Sequence, residues 1–318
     1  MKSLIMVGFS LCGLSGVCVG QQYPSKSIRM IVPYSPGGGS DVVGRIIAQG
    51  LTQNLGQQVI IDNRDGRGGS LGAALAAKSP ADGYTLLLAD VGTMAVNPWI
   101  FKNAGYNPLK DLTPVAMATS QPNLFAASLQ APVASLKDVA ALGKEKPGQL
   151  TFAYSAATNQ MGGRLFEMLS GAKLTFVAYK GGAPAVAAIA GGHVDLMMAG
   201  PTVFAPMIKA GKVRVLAVTG PQRLASLPDI PTSHEQGFPA YDVAGWYSVA
   251  APAGTPRDAI NKLNSEIARV LASPAALERF AGLGLQPKPT SVAETAQYVK
   301  SEYERWGKVV QASGITPE

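Results

Sequence analysis

Residues 27–55 read SIRMIVPYSPGGGSDVVGRIIAQGLTQNL. The apolar run from Ser27 to Pro33 predicts a strand. Asp41 to Leu55 carries Val43, Ile46, Ile47, Gly50 and Leu51 at helical spacing and predicts a helix. A glycine-rich corner, Pro33-Tyr-Ser-Pro-Gly-Gly-Gly-Ser-Asp41, joins the two. Strand, corner and helix together open a βα unit. The same rhythm continues outward: a strand over Gln58–Asp62, a small-residue helix over Ser70–Lys78, and a nearly continuous apolar strand over Tyr84–Ala89. This βαβαβ series predicts a parallel sheet covered on both faces.

The rhythm returns after a middle stretch. Strands are expected at Leu150–Ser155, Leu174–Ala178, Val194–Ala199 and Val213–Thr219, with helices over Gly162–Ser170, Ala183–Ala190 and Val203–Ala210 between them. Gly191-Gly192 and Gly211 stand where helices should stop. A second doubly wound lobe follows from this. Pro221 to Pro239 is rich in proline and turn residues and reads as a crossing between lobes. After it come a strand over Asp242–Ala250 and helices over Pro256–Leu271, Pro274–Ala281 and Ser291–Ser313. With no complete new βαβ series, this tail is expected to pack back onto the first lobe. The expected division is 21–122 with 226–318 as the first lobe and 123–225 as the second.

Composition bounds the function. The chain has 318 residues, 47% hydrophobic and 15% charged, which excludes a wholly disordered chain. Thirty-six glycines follow no strict period, which excludes collagen. The net charge of +7 comes without a basic tract, and no nucleic-acid partner is expected. Both cysteines, Cys12 and Cys18, fall within MKSLIMVGFSLCGLSGVCVG at residues 1–20. One lysine followed by an apolar, small-residue run reads as a secretory signal peptide, with cleavage near Gly20. Leu11 and Val17, the residues before the two cysteines, fit a lipoprotein signal poorly. Once the signal is removed, no thiolate nucleophile and no disulfide remain.

Four loops carry chemistry. In the corner at 33–41, glycines let a ligand approach the backbone, and the helix that follows offers unpaired N–H groups and its positive end. That suits a carboxylate or a phosphate. Counted from Gly37 and Gly39, a dinucleotide fingerprint needs glycine where Val42 stands, and no Gly-Lys-Ser/Thr ends the loop, so both nucleotide motifs fail. The second loop is Tyr154 to Gly163, with Ser155, Thr158 and Asn159 as hydrogen-bond donors. The third is Tyr179-Lys-Gly-Gly-Ala-Pro184 and the fourth Gly200-Pro-Thr202. Four strand-to-helix corners in two lobes point at a shared crevice.

Enzyme chemistry is poorly supplied. The two histidines, His193 and His234, sit in turn segments. No H-E-x-x-H, no C-x-x-C and no G-x-S-x-G elbow occurs, so neither a metal site nor a serine nucleophile is expected. A secreted hydrolase is the weakest reading, and no cofactor is implied. Arg64 and Arg67, in the loop Arg64-Asp-Gly-Arg-Gly-Gly-Ser70, either grip an anion or form surface salt bridges. Phe125, Trp246 and Tyr247 favour an aromatic ligand only if they face the crevice.

These segments carry a resemblance. In order, Pro33-Tyr34…Pro36-Gly37-Gly38…Asp41, Asn63-Arg64…Gly68-Gly69, Pro80-Ala-Asp-Gly-Tyr-Thr85, Tyr179-Lys-Gly-Gly182, Gly191-Gly-His-Val-Asp195, Leu227-Pro-Asp-Ile-Pro-Thr232 and Ala251-Pro-Ala-Gly-Thr-Pro256 resemble the Bug or TctC-type periplasmic substrate-binding proteins of tripartite tricarboxylate transporters. The resemblance implies a type II periplasmic-binding, or Venus flytrap, fold: two α/β lobes joined by two crossing segments. It also implies a periplasmic monomer that binds a small organic carboxylate and works with membrane permease subunits. A carboxylate sensor without a dedicated permease is the alternative. The implied ligand-binding residues are Tyr34, Pro36, Gly37, Gly38, Gly39 and Asp41 in the first loop, and Ser155, Thr158, Asn159 and Gln160 in the second. Tyr179, Gly181, Gly182 and Ala183 follow in the third loop and Thr202 in the fourth. Many relatives carry a His-Leu pair where this chain reads Gln160-Met161, a departure that bears on which acid is bound.

Overall fold

The structure is a computed structural model that describes residues 23–315. The expected signal peptide and both cysteines lie outside the described residues. The first lobe opens as the sequence predicts. Strand β1 (Ile28–Val32) is followed by helix α1 (Gly39–Leu55), β2 (Val59–Asn63), α2 (Ser70–Ala77) and β3 (Thr85–Asp90). A π-helical turn (Gly92–Val96) and a short α3 (Asn97–Ile100) lead to β4 (Leu112–Pro122), and β5 (Leu124–Ser128) and α4 (Leu136–Glu145) follow. The second lobe continues with β6 (Thr151–Tyr154), α5 (Ala157–Ser170), β7 (Thr175–Ala178), α6 (Gly182–Ala190), β8 (Leu196–Ala199), α7 (Pro201–Lys209) and β9 (Val213–Val218). The tail holds β10 (Ala244–Pro252), α8 (Arg257–Leu271), α9 (Pro274–Gly282), β11 (Gln286–Pro287) and α10 (Val292–Ala312).

The strands form two sheets, ordered β11-β4-β10-β3-β1-β2 and β7-β6-β8-β5-β9. The expected parallel pairing holds for β1 with β2 and β3, and for β6 with β7 and β8. It fails at the strands that link the lobes. β10 runs antiparallel to both β3 and β4, and β5 antiparallel to both β8 and β9. A single residue, Asn123, separates β4 from β5. The chain therefore leaves one sheet and enters the other almost without a loop, and a crossover helix has no room.

The predicted crossing at Pro221–Pro239 is corrected. That segment folds back on the second lobe. Val218 N–H donates to Pro231 O at 3.0 Å, and Ser233 N–H donates to Val218 O at 2.8 Å. Leu224, Leu227 and Ile230 pack into the second lobe's core. The chain returns to the first sheet at Asp242–Val243, beside Asn123, so a division at 225/226 cuts through a packed segment. The turn residues read there are real, but they fold a loop onto β9.

A second correction concerns α5. It begins at Ala157, five residues before the expected Gly162, so Thr158, Asn159 and Gln160 lie in its first turns. Gly162 and Gly163 are buried inside the helix. A Cβ at Gly163 would sit 2.7 Å from Phe176 and 2.9 Å from Phe152, and one at Gly162 would run into Met198. These glycines allow a close approach of α5 to its sheet and do not mark its start.

Three buried clusters fill the layers. One lies between the first sheet and α1, α8 and α9, and another between the second sheet, α6 and α7. The third takes Trp246, Trp306 and Val309 from the first lobe together with Phe125, Phe152 and Phe166 from the second. It exists because α10, expected only against the first lobe, packs on α5 as well as on β4.

Candidate functional site

Both crossings meet at one end of the inner strands of the first sheet, where Ala244 at the start of β10 pairs with Pro122 at the end of β4. A cavity of ≈ 170 Å³ opens there. Asp90 and Val91 line it from the end of β3, and Gln121, Asn123 and Val243 to Tyr247 from the crossings. Thr158 and Asn159 line it from α5, Met198 and Gly200 from the end of β8, and Trp306 from α10. No Lys, Arg or His is among these residues, and Asp90 is the one carboxylate.

The corner at 33–41 is held in shape by two side chains. Gly37, at φ 83°, turns the loop so that its N–H donates to Asp41 Oδ2 at 3.0 Å. Arg45 Nε donates to the same oxygen at 2.8 Å, and Asn63 Nδ2 to Asp41 Oδ1 at 3.0 Å. Foremost the Arg45 hydrogen bond, with Gly37 N–H and the Asn63 amide adding to it, holds the buried Asp41 carboxyl below its usual range against the cost of desolvation. Asp41 is thus spent on bracing the loop. Tyr34 does the same from the other side, donating to Asp90 Oδ2 at 2.7 Å. The N-cap of α1 is Gly38, which offers no side chain to the N–H groups of the first turn. Tyr247 brings its hydroxyl to that turn: a Cβ at Gly39 would sit 3.0 Å from Tyr247 Oη.

The second lobe answers with a similar end. Ala156 caps α5 in extended conformation, again without a side-chain acceptor. Gly200 caps α7 in the same way, with Pro201 starting the helix. Gly200 and Gly245 hold the Gln121 amide between them: a Cβ at either would come within 3.1 or 3.3 Å of Gln121 Nε2. Gln121 Oε1 is buried without a partner.

Of the residues expected to bind ligand, Thr158 and Asn159 line the cavity. Tyr34 touches it through Asp90. Pro36, Gly37, Gly38 and Gly39 are exposed at the head of α1, Ser155 is half-buried just before α5, and Gln160 is half-buried in its first turn. Tyr179, Gly181, Gly182 and Ala183 stand off the cavity, where the nearest side chain to a Cβ at Gly182 is Val203, 3.7 Å away. Thr202 faces the first lobe instead, its methyl 3.5 Å from a Cβ placed at Gly284. Arg64 pairs with Asp62 at 2.9 Å, and Arg67 donates to Asn103 O at 3.0 Å, so both arginines brace loops. His193 is exposed and His234 lies in the folded-back segment. Among the described residues no group of three or more His, Cys, Asp or Glu could hold a metal ion.

Tyr247 lines the cavity. Trp246 is buried, its indole N–H given to Glu302 at 3.2 Å, and Phe125 is fully buried against Phe152, Phe166 and Tyr241. Sequence reasoning missed Asp90, Gln121 and Trp306. No glycine-rich corner follows β3, and the stretch holding Gln121 was not read as a strand. The one available signal was the polar residue ending the apolar run at Asp90.

The sequence profile described as "Tripartite tricarboxylate transporter family receptor" matches residues 43–315. Protein BugT of Bordetella pertussis is 34% identical over 317 residues, covering 99% of this chain and 97% of that protein. Among solved structures, "R. palustris Rpa4515 with adipate" aligns at TM-score 0.80 and 35% identity, over 93% of this chain and 100% of that one. "MatC (Rpa3494) from Rhodopseudomonas palustris with bound malate" aligns at TM-score 0.77 and 32% identity, over 91% and 100%. The two lobes, mixed sheets and paired crossings are those of a type II periplasmic-binding fold.

Proposed function

The chain belongs to the tripartite tricarboxylate transporter receptor family, and on that premise we propose that its cleft captures a small organic carboxylate for the membrane permease subunits of such a transporter. It is a periplasmic solute-binding receptor and makes or breaks no bond. The observation that carries the carboxylate reading is the pair of helix ends, α1 and α5, one in each lobe, whose caps Gly38 and Ala156 leave the first N–H groups to a ligand. Such ends carry partial positive charge and stabilise an anion without a cation nearby. This suits a cavity lined by no Lys, Arg or His.

In this reading one carboxylate docks at Gly38, Gly39 and the start of α1, on a loop that Tyr34 and Asp41 hold in place. Thr158 and Asn159 take the rest of the ligand from the second lobe. The lobes, drawn as 23–122 with 243–315 and 123–241, pivot on the two crossings. Closure brings in Tyr179, Gly181, Gly182, Ala183 and Thr202, and ligand selects the closed form because those contacts exist only there. Adipate and malate, bound by the two solved relatives, are the first acids to try.

A thermal-shift screen tests the proposal with adipate, malate, succinate, citrate, glutamate, nicotinate and terephthalate. A true ligand at a hundred times its Kd adds about 2.7 kcal/mol of stability and raises the melting temperature. No shift with any acid of the panel, and no heat by calorimetry, removes it.

A further inference from the structure

The cleft proposed for an acid contains an acid of its own. Asp90 ends β3 and is one of the residues that line the cavity. Oδ2 accepts from Tyr34 Oη at 2.7 Å, and Oδ1 accepts from Thr93 N and Thr93 Oγ1, both at 2.9 Å. A carboxylate offers about four acceptor sites, so these bonds leave one on Oδ2. Among the described residues, the titratable groups set around it are phenols. They are Tyr34 after β1, Tyr106 ahead of β4, and Tyr247, which pairs with Asp90 across β10. The turn that follows β3 contributes Thr93, and no cation lines the cavity. Burial pushes the Asp90 carboxyl up, against the opposing bonds from Thr93 and Tyr34.

We propose that Asp90 is the specificity-determining residue of the cleft, accepting a hydrogen bond from an ammonium or hydroxyl group that the ligand carries beside its carboxylates. The proposal rests on the carboxylate reading above and names which acids fit it. An ionised Asp90 repels a bare diacid and leaves its own free acceptor unused. A donor-bearing acid meets that acceptor.

Linkage gives the two kinds of acid opposite pH profiles. A bare diacid favours protonated Asp90, so its affinity is full below the carboxyl's pKa in the free protein. Above that pKa the affinity falls by up to about tenfold per pH unit until the pKa of the complex is passed. A donor-bearing acid favours ionised Asp90. Its affinity is full above the free pKa and declines as pH drops through it.

Titration calorimetry on the whole chain tests this with two matched pairs, glutamate against glutarate and malate against succinate, in a pH series from about 4.5 to about 9 that spans any transition of a raised carboxyl. Asp90→Asn is measured alongside, and it carries the ligands' own titration, so any difference between proteins belongs to Asp90. In wild type, the donor-bearing member of a pair binds at least about tenfold tighter at pH 8, the order of one lost hydrogen bond to a charged group. The bare member gains as pH falls through the Asp90 transition. Both effects collapse in Asp90→Asn, and in Asp90→Ser should the first variant melt early. Preferences within pairs that survive both variants overturn the assignment, as does a bare diacid whose affinity ignores pH equally in all proteins. Absence of heat from all four acids in every protein is a different failure, and it overturns the carboxylate reading beneath.

Discussion

The side-chain N–H of Asn123 donates to the carbonyl oxygen of Val243 at 3.1 Å, tying together the two segments on which the chain passes between its sheets. Thr219 Oγ1 donates to the same carbonyl and accepts from Asn123 N–H at 2.9 Å. All three residues are buried. Replacing Asn123 by Ala removes one donor from a carbonyl that keeps Thr219 Oγ1 and the backbone N–H of residue 123, and is expected to cost about 0.5–1.5 kcal/mol. Urea unfolding reads this as a lower midpoint at unchanged slope. An unchanged midpoint would show that the tie adds no stability.

A residue buried behind the cavity is expected to act on it. Gly163 lets α5 lie close to Phe152 and Phe176. Gly163→Val forces the helix away from its sheet and costs about 1–3 kcal/mol by overpacking. Because Thr158 and Asn159 ride on the same helix, ligand affinity falls with stability. A destabilised variant of full affinity would mean that the start of α5 is positioned from elsewhere.

Two loop glycines separate binding from folding. A Cβ at Gly38 meets only Ser35 O at 3.7 Å, and one at Gly182 only Val203 at 3.7 Å. Neither glycine has the positive φ that excludes side chains. Gly38→Val and Gly182→Val are therefore expected to keep their stability within about 0.5 kcal/mol. Calorimetry is expected to show more than tenfold weaker binding, about 1.4 kcal/mol. Full affinity in both would take these loops out of the site.

Acid acts on the first loop through Asp41. Its carboxyl is held below the usual range, chiefly by Arg45, so the stability it contributes is present above the unfolded pKa of about 3.9. That contribution is lost as pH falls through the lower folded value. Asp41→Asn is expected to lower stability at pH 7 and to flatten the acid limb of the stability curve below about pH 4. Parallel acid limbs in the two proteins, followed by circular dichroism, would assign acid unfolding to other carboxylates.

The regular parts of the fold were legible because local pattern decides them. Ser27–Leu55 reads as strand, corner and helix from apolar spacing alone, and β1 and α1 lie there. What escaped depends on partners distant in the chain. β4 and β5 carry no helix between them to mark a βα unit, and their pairing with β10 and β8 is set only when both sheets exist. Pro221–Pro239 has the residues of a connector, yet its fate is decided by the bridge between Val218 and Thr232.

The site was legible as a kind of loop and only in part as a set of side chains. A glycine-rich corner announced the head of α1, whereas the head of α5 lies at Ala156–Ala157, ahead of the glycines read there. Asp41 looked like a contact because its place in the motif does not reveal that Gly37, Arg45 and Asn63 already surround it. Gly162 and Gly163 looked like part of a corner because composition cannot tell a glycine that turns a chain from one that lets two elements touch. Asp90 was missed because nothing beside it in sequence announces that Tyr34, 56 residues away, will meet it.

The shared cluster around α10 makes the halves of this molecule poor building blocks. Trp306 and Val309 from the end of the chain and Phe152 and Phe166 from its middle bury one another. A second lobe cut out as 123–241 would carry the Phe166 face into water, and a first lobe without it would strip the last turns of α10. Each half needs the other as solvent, so the receptor melts as one cooperative unit. A chimera that exchanges a single lobe between relatives must carry a compatible α10 with it.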